Sequence, residues 1–550
     1  MQSVSDNWKD AHKRTILNET FVEVSLDIGD PDALAAATAE DNGAIYISDS
    51  SKLTSREDEP IKSYCTLEQN MWCLDGRMEA IPESDFGKTG YVSEVLSDDT
   101  CIFSSKKPII RISFGGRVFT SLLPGVTITW SNTYGEYPDT FIVRAYNGDD
   151  IVAEKEVTGN RLVKSMVFVD INVYSKIEII VVKWCLPNHR ARVEEIFVGL
   201  RKVYGKTDLF DYSHSQVADM YATSLPKSDI KFTISNIDGE YNPLNRSGLA
   251  KYLIERQPVK SRYGMKKDDG TVEWIKGGTF YLSEWYAKQN GVTAEFTARD
   301  LFEFMSDIYE DTDYYKDLKY DNTTGVITST RTLYKLADDV LKSAPLPKGV
   351  EWVIDDELEK INTSAPLPED TRANCLQLIA NAGRCAMYQD RDGKLHIERI
   401  KLDVDEDESK YEINSFNSYA KPEIEISKPV KYAMTKYYTY SFVDGKIEST
   451  ASQYMTIWGS MYDESKKDEV ITIDNPLITD TDTADFVGRG IMSMLSSRMT
   501  LDYSWRADVR LDALDEIKDG YISNRVFMTE VEYKYNGAFR ATGKGKVYDA

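Results

Sequence analysis

Two dipeptides, Asp269-Gly270 and Asn290-Gly291, separate runs in which apolar and polar residues alternate: QPVKSRYGMK, TVEWIKGGTFYLSEWYAKQ and VTAEFTARD. Asp-Gly and Asn-Gly supply the positive backbone angles of tight hairpin turns, and a two-residue side-chain period places one face of each run in a core. A chain built this way folds as antiparallel β-structure, a barrel or a sandwich. The preceding stretch FTISNIDGEYNPLN (232–245) begins as another such strand and then breaks at Asp238-Gly239 and Asn242-Pro243. It reads as a structural corner, in which Asn and Asp side chains bond local backbone and the residue before proline is held extended.

The same texture dominates the rest of the 550 residues. From Ser63 to about Leu200 come RISFGG, GVTITW, TFIVRAYNGDD, SMVFVDI, KIEIIVVKW and VEEIFVGL, a spacing that suits a β-sandwich. Residues 1–16 predict a short exposed helix and AIYIS (44–48) a strand. Helical spacing is found at Leu333, Leu336, Ala337, Val340 and Leu341, in ANCLQLIANAG (373–383) and in DTADFVGRGIMSMLSSR, while AMYQDRDGKLHIERI predicts a hairpin turning at Asp392-Gly393. The fold class expected is therefore mainly β, α+β overall, in several domains. No room is expected after the final hairpin for a fibre or a further enzyme.

With 66 Lys and Arg against 90 Asp and Glu, the mean field of the chain repels a phosphate backbone, which argues against sequence-reading nucleic-acid binding. Six cysteines without a C-x-x-C and four scattered histidines give neither a disulfide scaffold nor a zinc site. No apolar leader or span is seen, so synthesis in a cytoplasm without stable membrane insertion is expected. Placing Gly239 or Gly393 at position six of a calcium loop leaves positions one and twelve without ligands, and GAFRATGKGK fails as a phosphate loop. No nucleophile elbow is present. Paired carboxylates among 90 acids leave a hydrolase open, but the expectation is no enzyme, no metal and no cofactor.

Aromatic residues in turns offer one candidate ligand site. Trp130, Tyr134 and Tyr137 around SNTYGEYPD are candidate glycan contacts, with Trp72 nearby in EQNMWCLDG; against this, Trp130 ends a strand and could pack inside, as Trp184 should.

The order of FTISNIDGEYNP, GGTFYLSEW, TAEFTARDLFEFM, CLQLIANAGRCAMYQDRDGKLHIERI, NPLITDTDTADFVGRGI and EVEYKYNGAF resembles the baseplate hub or tail-associated proteins of tailed bacteriophages. LEQNMWCLDG and KIEIIVVKWCLPNHRARVEEIFVGL are similar to galactose-binding-like jelly rolls. These resemblances imply residues 1–62 as an N-terminal segment with the first strands of hub barrel 1, and 63–200 as an inserted jelly roll. They imply 201–305 as the remainder of barrel 1, 306–418 as a small α+β domain, and 419–550 as barrel 2 with a helix. They further imply a homotrimer in the virion tail tip that contacts distal tail, tail-tube, tape-measure and tip or receptor-binding proteins and meets DNA only in passage. An acidic channel wall would keep that DNA from adhering. The alternatives are a host-glycan adhesion protein acting through 63–200 and a cell-wall hydrolase. The strand KYYTYSF (436–442) is a candidate interface or a central strand of the last domain.

Overall fold

The computed structural model describes the chain apart from residues 1, 13, 15–17, 55–63, 67, 69–77, 79–89, 289–290, 317, 401–410, 460–468, 507, 523–524 and 548–550, and gives backbone only at 450–453 and 469. Trp72 and Asn290 lie outside the described residues.

Mainly β-structure is what the alternating runs build. The largest element is one sheet whose antiparallel path runs from Leu200–Tyr204 through Thr20–Ile28, Pro258–Lys266, Val272–Ala287, Thr293–Arg299, Lys227–Ser235 and Leu209–Val217. It then crosses to Arg525–Tyr535, Phe539–Val547, Met499–Trp505 and Glu423–Ile426. The crossing is the pairing of Leu209–Val217 with Arg525–Tyr535, from Tyr212 opposite Tyr535 to Val217 opposite Glu530. The two groups of strands assigned from sequence to two barrels are thus laced together over one core. Alternation works as the sequence demands: Ile230, Phe232 and Ile234 are buried, and Phe232 stacks on Phe296 at 5.1 Å.

The N-terminal helix α1 (Asp6–His12) is not the exposed helix expected. Trp8 and Ala11, three residues apart and so on one helical face, are buried in that core, and the Trp8 indole N–H points to Asp508 at 3.4 Å. The Tyr535 hydroxyl donates to the Thr20 carbonyl, so strands from both ends of the sequence close on each other.

After Ile28 the chain leaves this wall and returns at Leu200, directly opposite Ile28 in the sheet. The close approach explains Gly199, whose φ is +144° and where a Cβ would lie 2.4 Å from the Ile28 carbonyl oxygen. Between exit and return, a five-stranded sheet (Thr38–Asp41, Ile109–Ser113, Lys176–Trp184, Pro138–Asn147, Asp150–Thr158) shares a separate core with the three strands Glu195–Phe197, Leu123–Thr129 and Lys164–Ile171. AIYIS forms no strand; only Ala44 bridges, to Ser93.

A third core gathers helices α2 (Leu333–Ser343), α3 (Arg372–Gly383) and α4 (Thr481–Ser496). Each starts where a side-chain oxygen accepts a free backbone N–H: Thr332 from Lys335, Thr371 from Asn374, Asp480 from Thr483. The Ala386–Gln389 and Leu395–Glu398 hairpin joins them. So does the sheet Lys446–Trp458, Val430–Val443, Glu469–Ile473, through Ala433 and Ile473, which places this part of residues 419–550 on the helical core rather than on the wall.

Candidate functional site

Trp130 follows the strand Leu123–Thr129 and is fully buried. Its indole N–H donates to Ser165 Oγ at 2.9 Å, while Phe141 and Trp184 meet its ring edge-on at 4.8 and 6.4 Å. A sugar needs an open aromatic face, so Trp130 is corrected to a core residue. Tyr134 is half-buried; its hydroxyl donates to the Tyr64 carbonyl, and the Arg192 guanidinium lies 5.0 Å from its ring centre. Tyr137 is half-buried with its backbone N–H on Cys185 Sγ.

Between the two tyrosines lies a residue that no motif marks out. The buried Glu136 accepts from the Trp184 indole and from His189 Nδ1, both at 2.9 Å, and stands 3.7 Å from Arg192. Arg192 in turn makes a two-pronged pair with Glu68 at 2.7 and 3.0 Å. Burial pushes the Glu68 carboxyl up, but Arg192 outweighs it and holds the group below its ordinary value. These groups clamp the SNTYGEYPD turn onto the Arg190–Val193 strand.

The 232–245 corner is built from its own polar groups. Asn236 is buried; its carbonyl accepts from Gly239 N–H, and its side chain accepts from Tyr241 N–H at 2.9 Å. Asn242 accepts from Leu244 N–H at 2.9 Å, while Asp238 and Pro243 are exposed. Gly239 adopts φ +65°, the left-handed region. Gly239→Ala should therefore cost about 1–2 kcal/mol of unfolding free energy without loss of assembly, readable as a lower denaturant midpoint.

A cavity of about 1190 Å³ lies between the wall and the helical core. Arg391, at the tip of the 386–398 hairpin, reaches from one to the other: it donates to Asp512 at 2.8 Å and to the carbonyls of Lys276 and Leu511 at 3.0 and 3.1 Å. Asp300 carries the signature of a general acid, since burial pushes it up to about 7. Its geometry is structural, however, because one carboxylate oxygen accepts from Ser228 N–H and the other from Phe302 N–H. His396, stacked on Tyr388 at 4.8 Å, is pushed down by burial but raised further by Asp390 and Glu398, to about 9.

Nearby, the buried His214 bonds the Tyr263 hydroxyl at 2.7 Å, and burial, aided by Arg391, pushes it down to about 3 from 6.5. As pH falls below 6.5, the unfolded chain takes a proton that the folded imidazole refuses until about 3, so this group removes stability across that window. The slope should reach about 1.4 kcal/mol per pH unit, and His214→Gln should flatten it in urea midpoints measured against pH.

The strand holding KYYTYSF is the centre of its three-stranded sheet, with Tyr440 buried and Tyr437 and Tyr438 half-buried. Lys436 pairs with Asp474 at 2.5 Å. The two ends of the wall differ. Leu200–Tyr204 is capped at one end, where Thr127 Oγ1 donates to the Gly199 carbonyl and accepts from Arg201 N–H, each at 3.0 Å. At the other end Glu423–Ile426 pairs, among the described residues, with Met499–Trp505 alone. All four of its residues are exposed, Ile424 at 50% and Ile426 at 63%.

No family model and no curated protein matches the sequence. Among solved structures the chain is similar to the 43 kDa tail protein of prophage MuSo2 from Shewanella oneidensis, with 13% identity and a TM-score of 0.39 over 62% of this chain and 95% of that one. It is also similar to the tail protein from Neisseria meningitidis MC58, with 10% identity and a TM-score of 0.42 over 63% and 94%. A third is an E. coli component of the type VI secretion system, described as similar to T4 bacteriophage tail proteins gp27 and gp5: 10% identity, TM-score 0.32, 62% and 74% covered.

Proposed function

We propose that the chain is a structural hub protein of a phage or phage-like tail tip or baseplate. In this reading it forms a homotrimeric ring that joins the tail tube to the tip and lets DNA pass. The order of sequence signatures from FTISNIDGEYNP to EVEYKYNGAF supports the reading. The observation that carries it is the exposed end of the wall, Glu423–Ile426.

An edge strand with unpaired backbone and two exposed isoleucines on one face is a template for another chain, and soluble monomers normally blunt such edges. The wall spans strands from both ends of the sequence, so a neighbour docking there meets a rigid surface. The chain then works through its interfaces, with tail-tube, distal tail, tape-measure and tip proteins as the other partners. An excess of 24 negative charges suits a wall past which DNA moves without sticking.

The test is the mass of the purified chain in solution, with Ile424→Lys/Ile426→Lys as the comparison. A trimer that the double variant reduces to monomer supports the reading; a trimer indifferent to it removes this edge from the interface.

A further inference from the structure

On a chain this acidic, one cleft has the opposite sign. It measures about 520 Å³ and lies where the three cores meet, with Phe197, Tyr281, Arg201, Arg256, Lys260 and Lys348 among its lining residues. Two of the three carboxylates in its lining are consumed by Arg201, which pairs with Asp27 at 2.8 Å and with Glu195 at 2.5 Å. The third, Asp392, pairs with Lys276 at 2.6 Å, outside the cleft lining. Among the described residues, no carboxylate stands within ion-pair distance of Arg256 or Lys348. Arg256 is held by its backbone in the left-handed region, φ +68°, and its guanidinium lies 4.9 Å from the centre of the Phe304 ring. A strained non-glycine residue that presents a cation at a cleft is the kind of feature kept for binding. Lys348 sits exposed on the turn between Pro347 and Gly349.

The volume suits a few residues of extended polypeptide rather than a single small anion, and the sign calls for acids. The sequence supplies a segment of that kind: Asp403, Asp405, Glu406, Asp407 and Glu408 place five acids within six residues. We propose that the cleft seats the acidic run 403–408 of a neighbouring copy of the chain. The inference rests on the self-assembly in the proposed function and names a contact for it. Opposite charges brought together in a partly desolvated cleft attract more strongly than on open surface, and the contact should weaken with salt.

The experiment is a charge swap between copies, read by sedimentation velocity at about 50 mM NaCl, where screening is weak. One variant carries Arg256→Glu and Lys348→Glu; the other carries Asp403→Lys, Asp405→Lys and Glu406→Lys. Each alone should associate about tenfold more weakly than the wild type, and an equimolar mixture should recover part of the association, because a mixed ring of three makes two complementary contacts and leaves one like-charged. A mixture as dissociated as its components overturns the proposal, as do single variants that associate like the wild type.

A labelled peptide, LDVDEDES (402–409), separates this inference from the ring itself. If the wild type proves monomeric, the ring fails, and peptide titration still reads the cleft. Binding weakened about tenfold by Lys348→Glu, an exposed change that leaves the core intact, supports the proposal. No binding, or equal binding to wild type and variant, overturns it.

Discussion

Arg391→Met is expected to lower the unfolding free energy by about 3–5 kcal/mol, the cost of leaving a buried ionic partner uncompensated. The Arg391 side chain is almost wholly buried and holds the wall and the helical core together through Asp512 and two backbone carbonyls. Methionine fills much of the same volume, so loss of packing is small and the effect reports the charge. Asp512 also accepts from Gln2 at 3.1 Å and Gln216 at 3.0 Å, and neither amide supplies the positive charge that Arg391 does.

The sign with pH is a second check. Burial raises the Asp512 carboxyl, but Arg391 outweighs it and holds the group below its ordinary 3.8, so this pair contributes stability above that pH and loses it as pH falls through the folded value. The deficit of the variant should therefore be full at neutral pH and shrink in acid. Chemical denaturation of wild type and variant at pH 7 and at about pH 3 measures it, and Asp512→Leu added to Arg391→Met should restore part of the loss.

Trp130→Ala should cost about 3–5 kcal/mol, and the loss should be confined to the core of residues 33–198. The indole fills space between Phe141 and Trp184, and its N–H donates to Ser165 Oγ, so truncation leaves a cavity and removes one hydrogen bond from that hydroxyl, which still donates to Asn160 Oδ1 at 3.2 Å. Because that core is separate from the wall, a single global midpoint is the wrong observable. Amide exchange is the right one: protection should fall in Leu123–Thr129 and Lys176–Trp184 and stay unchanged in Lys227–Ser235. Tyr134→Ala, at a half-buried ring, should cost about 1 kcal/mol, near the centre of the usual distribution.

These residues also show what a sequence can and cannot reveal. Strand positions such as Ile230, Phe232 and Ile234 were legible because alternation is local and burial of one face follows from it. The helices were legible because Thr332, Thr371 and Asp480 are local caps to apolar periodicity. Trp8 and Ala11 in α1 were missed although their spacing was in view, because seven residues of mostly polar helix give no hint of a core waiting on one side. The lacing of Leu209–Val217 onto Arg525–Tyr535 joins residues three hundred apart, and pairing at that distance leaves no local trace.

The candidate site divides the same way. The turn chemistry of Asn236, Gly239 and Asn242 could be read from residue types alone. Glu136 and Arg391 could not, since their partners Trp184, His189 and Asp512 lie 48, 53 and 121 residues away. The aromatic character of Trp130 was plain, and whether its faces were open or covered was not, because that depends on Phe141 and Trp184 arriving from other strands.

In the proposed function, copies of the chain assemble with one another through the Glu423–Ile426 end of the wall. Light scattering on the purified chain at about 10 μM, a concentration at which an interface with Kd near 1 μM or tighter is largely formed, tests it most directly. Three times the 62.5 kDa protomer mass is expected, falling to one protomer in Ile424→Lys/Ile426→Lys. A wild-type chain that stays at 62.5 kDa would contradict it.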